Sequence, residues 1–165
     1  MLCQYGSRNP DATTMLLIVF NDITPKRVPI TLPTPPDKRV PPMIDEAIAP
    51  LVQDPGIPAG TLVTRLRTPE ELLDPNTVKV TLDMKGRCLY FSRSPIPFGR
   101  DITPDELVQR YPVYRHIGLY VYRREFLLRY AAMTQTALEQ AEKLEQLRIL
   151  EHGYFIHAAI TTHES

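Results

Sequence analysis

The sequence predicts an α/β fold, and three observations lead there. Short β-rich runs alternate with helix-like segments from Pro42 onward, the two best helix starts carry full capping signals, and two of the β runs are joined by a glycine-containing link that suits a hairpin. Strands alternating with helices argue for α/β architecture, and the hairpin adds an antiparallel element.

Met43 to Val52 reads as a helix ended near Pro50 and Pro55, because proline removes a backbone donor and crowds the preceding turn. Thr61 to Leu66 reads as a strand. Thr68-Pro69-Glu70-Glu71 places a hydroxyl at the N-cap, proline at the first helical position and a carboxylate at the third. The signal recurs at Thr103-Pro104-Asp105-Glu106, before a helix running to about Tyr111. Val78 to Asp83 and Arg87 to Ser92 are the hairpin strands, linked through Met84-Lys85-Gly86. His116 to Tyr122 is a further strand and Arg124 to Met133 a helix. Thr136 opens a longer helix, Ala137 to His152, stopped by Gly153, and Tyr154 to Ile160 is the last strand.

The N-terminal part is different. Met1 to Thr14 is polar and aperiodic, as a frayed terminus would be, and Met15 to Asp22 holds one candidate strand. Seven prolines then fall between Pro25 and Pro42, which excludes a regular helix or central strand there. Residues 1–39 are therefore expected to be an atypical, poorly ordered segment, and 40–165 the folded portion.

Bulk properties exclude several classes. The 165 residues suit one domain, and 19 basic residues balance 19 acidic ones. A neutral chain without a basic run lacks the means of neutralising phosphates on which general nucleic-acid binding rests. The apolar run Met15 to Phe20 is too short to span a membrane and lacks the flanks of a signal peptide, so the expected location is the cytoplasm. Cys3 and Cys88 have no metal-ligand spacing and read as reduced thiols. There is no glycine-rich phosphate loop, HExxH or CxxC, and no catalytic residue or metal ligand is assigned.

Three polar clusters remain. Arg93 follows the second hairpin strand, at an edge where open α/β sheets place ligands, and Arg100 lies a few residues on. Their planar forks suit a carboxylate or phosphate, and ordinary surface arginines are the alternative. On His116 to Tyr122, alternation sends Ile117, Leu119 and Val121 to the core and leaves His116, Gly118, Tyr120 and Tyr122 opposite. That second face reads as half-exposed, with a solvent-facing histidine, and alternatively as the lining of a polar pocket. On the long helix, Leu144, Leu147 and Leu150 form an apolar stripe while Glu142, Glu145 and Gln146 occupy the other arc. A solvated face with a Glu139–Lys143 pair is the simpler reading of that arc, and sugar hydroxyl recognition the other.

DPNTVKVTLDMKGRCLYFSRSPIPFGRD (Asp74 to Asp101), RHIGLYVYRREFLLRY (Arg115 to Tyr130), LEQAEKLEQLRIL (Leu138 to Leu150) and VPPMIDEAIAPL (Val40 to Leu51) occur in the order found in CMP-Kdo synthetases. The chain resembles that family from about Val40 to Ile160. The resemblance implies a Rossmann-like, glycosyltransferase-A-like nucleotidyltransferase sheet with an inserted β-hairpin, and transfer of CMP from CTP to the acid sugar Kdo for lipopolysaccharide synthesis, with Mg as cofactor. It implies Kdo and CTP as partners, no nucleic acid or membrane, and a homodimer. Arg93 and Arg100 would bind the anionic region of the substrate, His116 and Tyr120 would line the sugar pocket, and Glu145 and Gln146 would hold hydroxyls. The family's N-terminal phosphate-binding loop, its Gln-Gly-Asp-Glu-Pro metal turn and its C-terminal second metal aspartate have no counterparts here. The chain is thus expected to be an incomplete member, missing the nucleotide-binding portion and weakly active or inactive. The alternatives are a non-catalytic sugar-binding or dimerising remnant, and a cytidylyltransferase for another sugar acid.

Overall fold

In the computed structural model, residues 42–163 are described in full, together with the strands Leu2–Tyr5 and Met15–Val19 as backbone. In chain order the elements are β1 (Leu2–Tyr5), β2 (Met15–Val19), α1 (Pro42–Gln53), β3 (Ala59–Arg65), α2 (Pro69–Leu73), β4 (Lys79–Leu82) and β5 (Cys88–Ser92), followed by α3 (Pro104–Arg110), β6 (Tyr114–Arg123), α4 (Arg124–Ala132), α5 (Ala137–Glu142), α6 (Leu147–Glu151) and β7 (Ile156–Ile160). The strand Leu2–Tyr5 falls in the stretch read as aperiodic, and the proline-rich run before Pro42 lies outside the described residues.

One mixed sheet runs β1-β2-β6-β3-β7, and the β4–β5 hairpin joins it through β4 against β6. The parallel pair among these is β3–β7; β6 is antiparallel to β2, β3 and β4. The expected hairpin is present, with Gly86 at φ 78° in its turn, a conformation that favours glycine.

Where β3 pairs with β6 the register jumps: Thr61 faces Tyr120, yet Leu62 faces Ile117. Gly118 and Leu119 therefore bulge out of the ladder. A bulge strips carbonyls of their cross-strand partners, and Thr61 supplies the replacement, its Oγ1 donating to Leu119 O at 2.8 Å.

Both faces of β6 are covered. Ile117, Leu119 and Val121 pack with Ala47, Ile48 and Leu51 of α1. Tyr120 and Tyr122 pack on the other side with Phe91, Phe126, Leu144, Leu147 and Ile149. The face expected to be half-exposed is thus the larger core, because α4 to α6 close over it. Burying its two tyrosines alone stabilises the fold by roughly 2 kcal/mol each or more. A smaller core joins Leu66, Leu72, Leu107, Val108 and Val113 around α2 and α3.

Both capping boxes form. Glu71 N donates to Thr68 Oγ1 and Glu106 N to Thr103 Oγ1, while each glutamate accepts from its threonine's backbone N–H. The expected first helix is present as α1, which runs through Pro50 to Gln53, since a proline in the last turn removes a single bond there. One helix expectation needs correction. The long helix over 137–152 is two helices: Lys143 takes a left-handed conformation (φ 55°) and ends α5, and α6 starts at Leu147. Tertiary partners cause the break. Glu139 does not pair with Lys143; it is buried and meets Arg148 in a two-point ion pair, through Oε2 to Nε at 2.7 Å and a second short bond from Nη2 to Oε1. Glu142 is drawn to the end of β5.

Candidate functional site

Strand alternation puts His116, Tyr120 and Tyr122 on one face of β6, and α4 follows β6 directly, bringing Phe126 and Tyr130 over them. The rings form a ladder: His116 to Tyr120 at 5.1 Å, Tyr120 to Tyr122 at 5.8 Å, and Tyr122 to Tyr130 at 5.8 Å, the last two pairs stacked. Phe91 meets His116 edge-on at 5.2 Å. Burial, with the Glu145 carboxylate nearby, raises the phenols of Tyr120 and Tyr122 well above the usual range, so both stay neutral. Tyr130 donates its hydroxyl to the Glu145 carbonyl at 3.1 Å, which fixes the α5–α6 turn against the ladder.

His116 is half-buried rather than solvent-facing. Its Nε2 lies 2.9 Å from Thr61 Oγ1. The Thr61 proton already goes to the Leu119 carbonyl, so the hydroxyl accepts and His116 Nε2 donates. This assigns the neutral tautomer with its proton on Nε2. Burial pushes the imidazole pKa down to about 3.

Arg93, one residue past β5, is held at four points. Its backbone N–H donates to Glu142 Oε2 at 2.9 Å, its Nε to the Glu142 carbonyl at 2.9 Å and its Nη1 to the Pro75 carbonyl at 3.0 Å, while its own carbonyl accepts from Lys79 Nζ at 2.6 Å. Ser92 Oγ donates to Glu142 Oε1 at 2.6 Å. Nη2 takes no acceptor among the described residues, so one edge of the fork is left for an anion.

The structure therefore brings His116, Tyr120 and Glu145 around one aromatic ladder, with Gln146 buried beside Glu145 at the start of α6. Arg93 is tied through Glu142 to the helix leading into that turn. Arg100 stands apart on an exposed loop, 3.6 Å from Asp101, the two side chains 89% and 90% exposed. Among the described residues no three His, Cys, Asp or Glu side chains are grouped to hold a metal ion. The described residues therefore do not fit a magnesium site.

The sequence model for cytidylyltransferases matches residues 41–159, most of the chain and all six of these positions. The chain belongs to the cytidylyltransferase family. Among curated relatives it is 54% identical over 130 residues to the 3-deoxy-manno-octulosonate cytidylyltransferase of Geobacter sulfurreducens, a match covering 76% of this chain and 52% of that protein. The enzyme of the same name from Geotalea uraniireducens is 52% identical over the same length, with the same coverage. A solved structure of CMP:2-keto-3-deoxy-manno-octonic acid synthetase complexed with CTP superposes with a TM-score of 0.64 at 34% identity, over 72% of this chain and 46% of that one. This cytidylyltransferase chain spans about half the length of the curated relatives it matches.

Several residues that build this candidate site carry little sequence signal. Glu142 stands out only as part of a polar helix arc. Lys79 sits in an ordinary strand pattern, and its acceptors are backbone carbonyls, which leave no mark in a sequence. A separate cleft of about 260 Å³ lies between the end of α1, the hairpin turn and the start of β7, lined in part by Ile57, Lys85, Arg87, Phe155 and His157. Arg87 spreads over the Phe155 ring there at 4.2 Å, and none of the six predicted site residues reaches it.

Proposed function

We propose that residues 40–165 form the sugar-acid-binding portion of a CMP-Kdo synthetase, the activity that transfers CMP from CTP to Kdo. The observation that carries this reading is the 54% identity over 130 residues to an enzyme of that name, and the family match over 41–159 takes in Arg93, His116, Tyr120, Glu145 and Gln146. The geometry supports it chemically. Arg93 offers a preset guanidinium edge to a carboxylate. The neutral His116 and Tyr120, with Glu145 and Gln146, supply donors and acceptors of the kind that sort sugar hydroxyls. Arg100, on its exposed loop, would reach an anionic substrate from outside. Such groups contribute by orienting the sugar, so that its nucleophile meets CTP in line.

CTP and magnesium are the family's expected co-substrate and cofactor, and among the described residues no cluster of His, Cys, Asp or Glu is grouped to hold the metal. No described helix is long and apolar enough to cross a membrane; a cytoplasmic homodimer is the arrangement that suits this reading. The purified chain should bind Kdo in calorimetry, and bind sialic acid more weakly. With CTP and magnesium added, pyrophosphate release should be slight. Absence of Kdo binding would remove the assignment. Turnover as fast as that of a full-length relative would show that the chain holds more of the catalytic apparatus than its sugar side.

A further inference from the structure

Lys79 places a charge in the interior. The residue is 0% exposed, and its ammonium gives one bond to each of three backbone carbonyls: Asp74 at 2.8 Å, Thr77 at 2.6 Å and Arg93 at 2.6 Å. An ammonium has three donors, so none is left over. A buried cation is expensive to desolvate, and its bonds to three carbonyls, which an apolar side chain would leave unpaired, offset that cost. An ammonium bound in this way has an organising role.

The acceptors show what that role is. Asp74 and Thr77 flank Pro75, whose carbonyl holds Arg93 Nη1. The third acceptor is the carbonyl of Arg93 itself. One ammonium thus fixes both the backbone of Arg93 and the turn on which its guanidinium rests, while Glu142 secures the remaining side. We propose that Lys79 is the positioning residue for Arg93, holding its guanidinium with the Nη2 edge turned toward an anionic ligand. The buried charge also lies close enough to Arg93 for the two cations to oppose each other, and Asp74 and Glu142 offset that repulsion. A second positive charge behind the fork strengthens its pull on a carboxylate. This inference rests on the reading that Arg93 faces the sugar acid.

The experiment compares the wild-type chain with Lys79→Met, which keeps length and volume but has no donors. Two quantities are read on protein shown to be folded: solvent exchange of the Arg93 Nε–H by nitrogen-15 NMR, and the Kd for Kdo by calorimetry. Losing a charged donor from such a node should raise both the exchange rate and the Kd by about tenfold or more. Lys79→Gln, whose amide restores two donors, should recover part of each loss and serves in its place if the methionine variant fails to fold. A lowered melting temperature with unchanged Arg93 exchange and unchanged Kd would mean that Lys79 is only structural, and would overturn the proposal. The wild type gives a reading without substitution: the Lys79 ammonium resonance should shift on saturation with Kdo, and a bound state that leaves it unmoved counts against the coupling. If the wild type binds no Kdo, the functional reading falls, while the exchange rate still judges the clamp.

Discussion

Replacing His116 by glutamine should flatten the loss of stability in acid. The native imidazole titrates at about 3 against an ordinary value of 6.5. Its folded pKa therefore lies below the unfolded one, and as pH falls the unfolded chain takes up the proton first. The contribution of the neutral imidazole is complete above the unfolded value and declines below it by about 1.4 kcal/mol per pH unit, down to the folded value. Between about pH 6.5 and 4.5 this amounts to roughly 2 kcal/mol, a large share of the ~5–15 kcal/mol that holds a domain together. Glutamine loses the edge-on contact with Phe91 and the imidazole bond to Thr61, so at neutral pH the variant should be less stable by roughly 1–2 kcal/mol. The deficit should shrink as pH falls and vanish or reverse near the acid end. Urea unfolding of both proteins at several pH values measures it. Asp74, Asp83, Glu106, Glu139 and Glu151 are all held below the ordinary carboxylate range by hydrogen bonds, and their acid losses occur in both proteins and cancel in the difference. Two parallel stability curves would refute the buried neutral histidine.

Two further outcomes are expected. Glu139→Ala leaves the Arg148 guanidinium without its carboxylate in a mostly buried site, and should cost about 3 kcal/mol in urea unfolding, a loss that Arg148→Met in the same background should partly restore. Gly60→Ala sets a methyl 2.5 Å from Leu51 Cδ1 and 3.1 Å from the Ala47 carbonyl; the Leu51 side chain must swing aside and the α1 backbone give slightly, lowering stability by roughly 1–3 kcal/mol in the same assay.

What the sequence shows depends on how local the cause is. Both threonine capping boxes and the hairpin are decided within a few residues, so composition reveals them. The second face of β6 is different. His116, Tyr120 and Tyr122 suit either a wet surface or a core, and only the closure of α4 to α6 chooses the core. The break at Lys143 is likewise hidden. By propensity 137–152 is one helix, and it divides because Arg148 draws Glu139 inward while Ser92 and Arg93 draw Glu142. Within the candidate site, alternation sets His116 and Tyr120 on one face of β6, and Arg93 falls at a strand edge. The bulge that brings Thr61 to His116 and the carbonyls that receive Lys79 are properties of the assembled backbone.

The stacked phenols have an optical consequence. The chain has no tryptophan, so its near-ultraviolet absorption and emission come mainly from tyrosine. Tyr120, Tyr122 and Tyr130 lie ring over ring, where their transitions couple and give a dichroic band that isolated phenols lack. On the proposed reading, a sugar acid beside His116 would perturb one end of that array, so near-ultraviolet dichroism would report occupancy without a label.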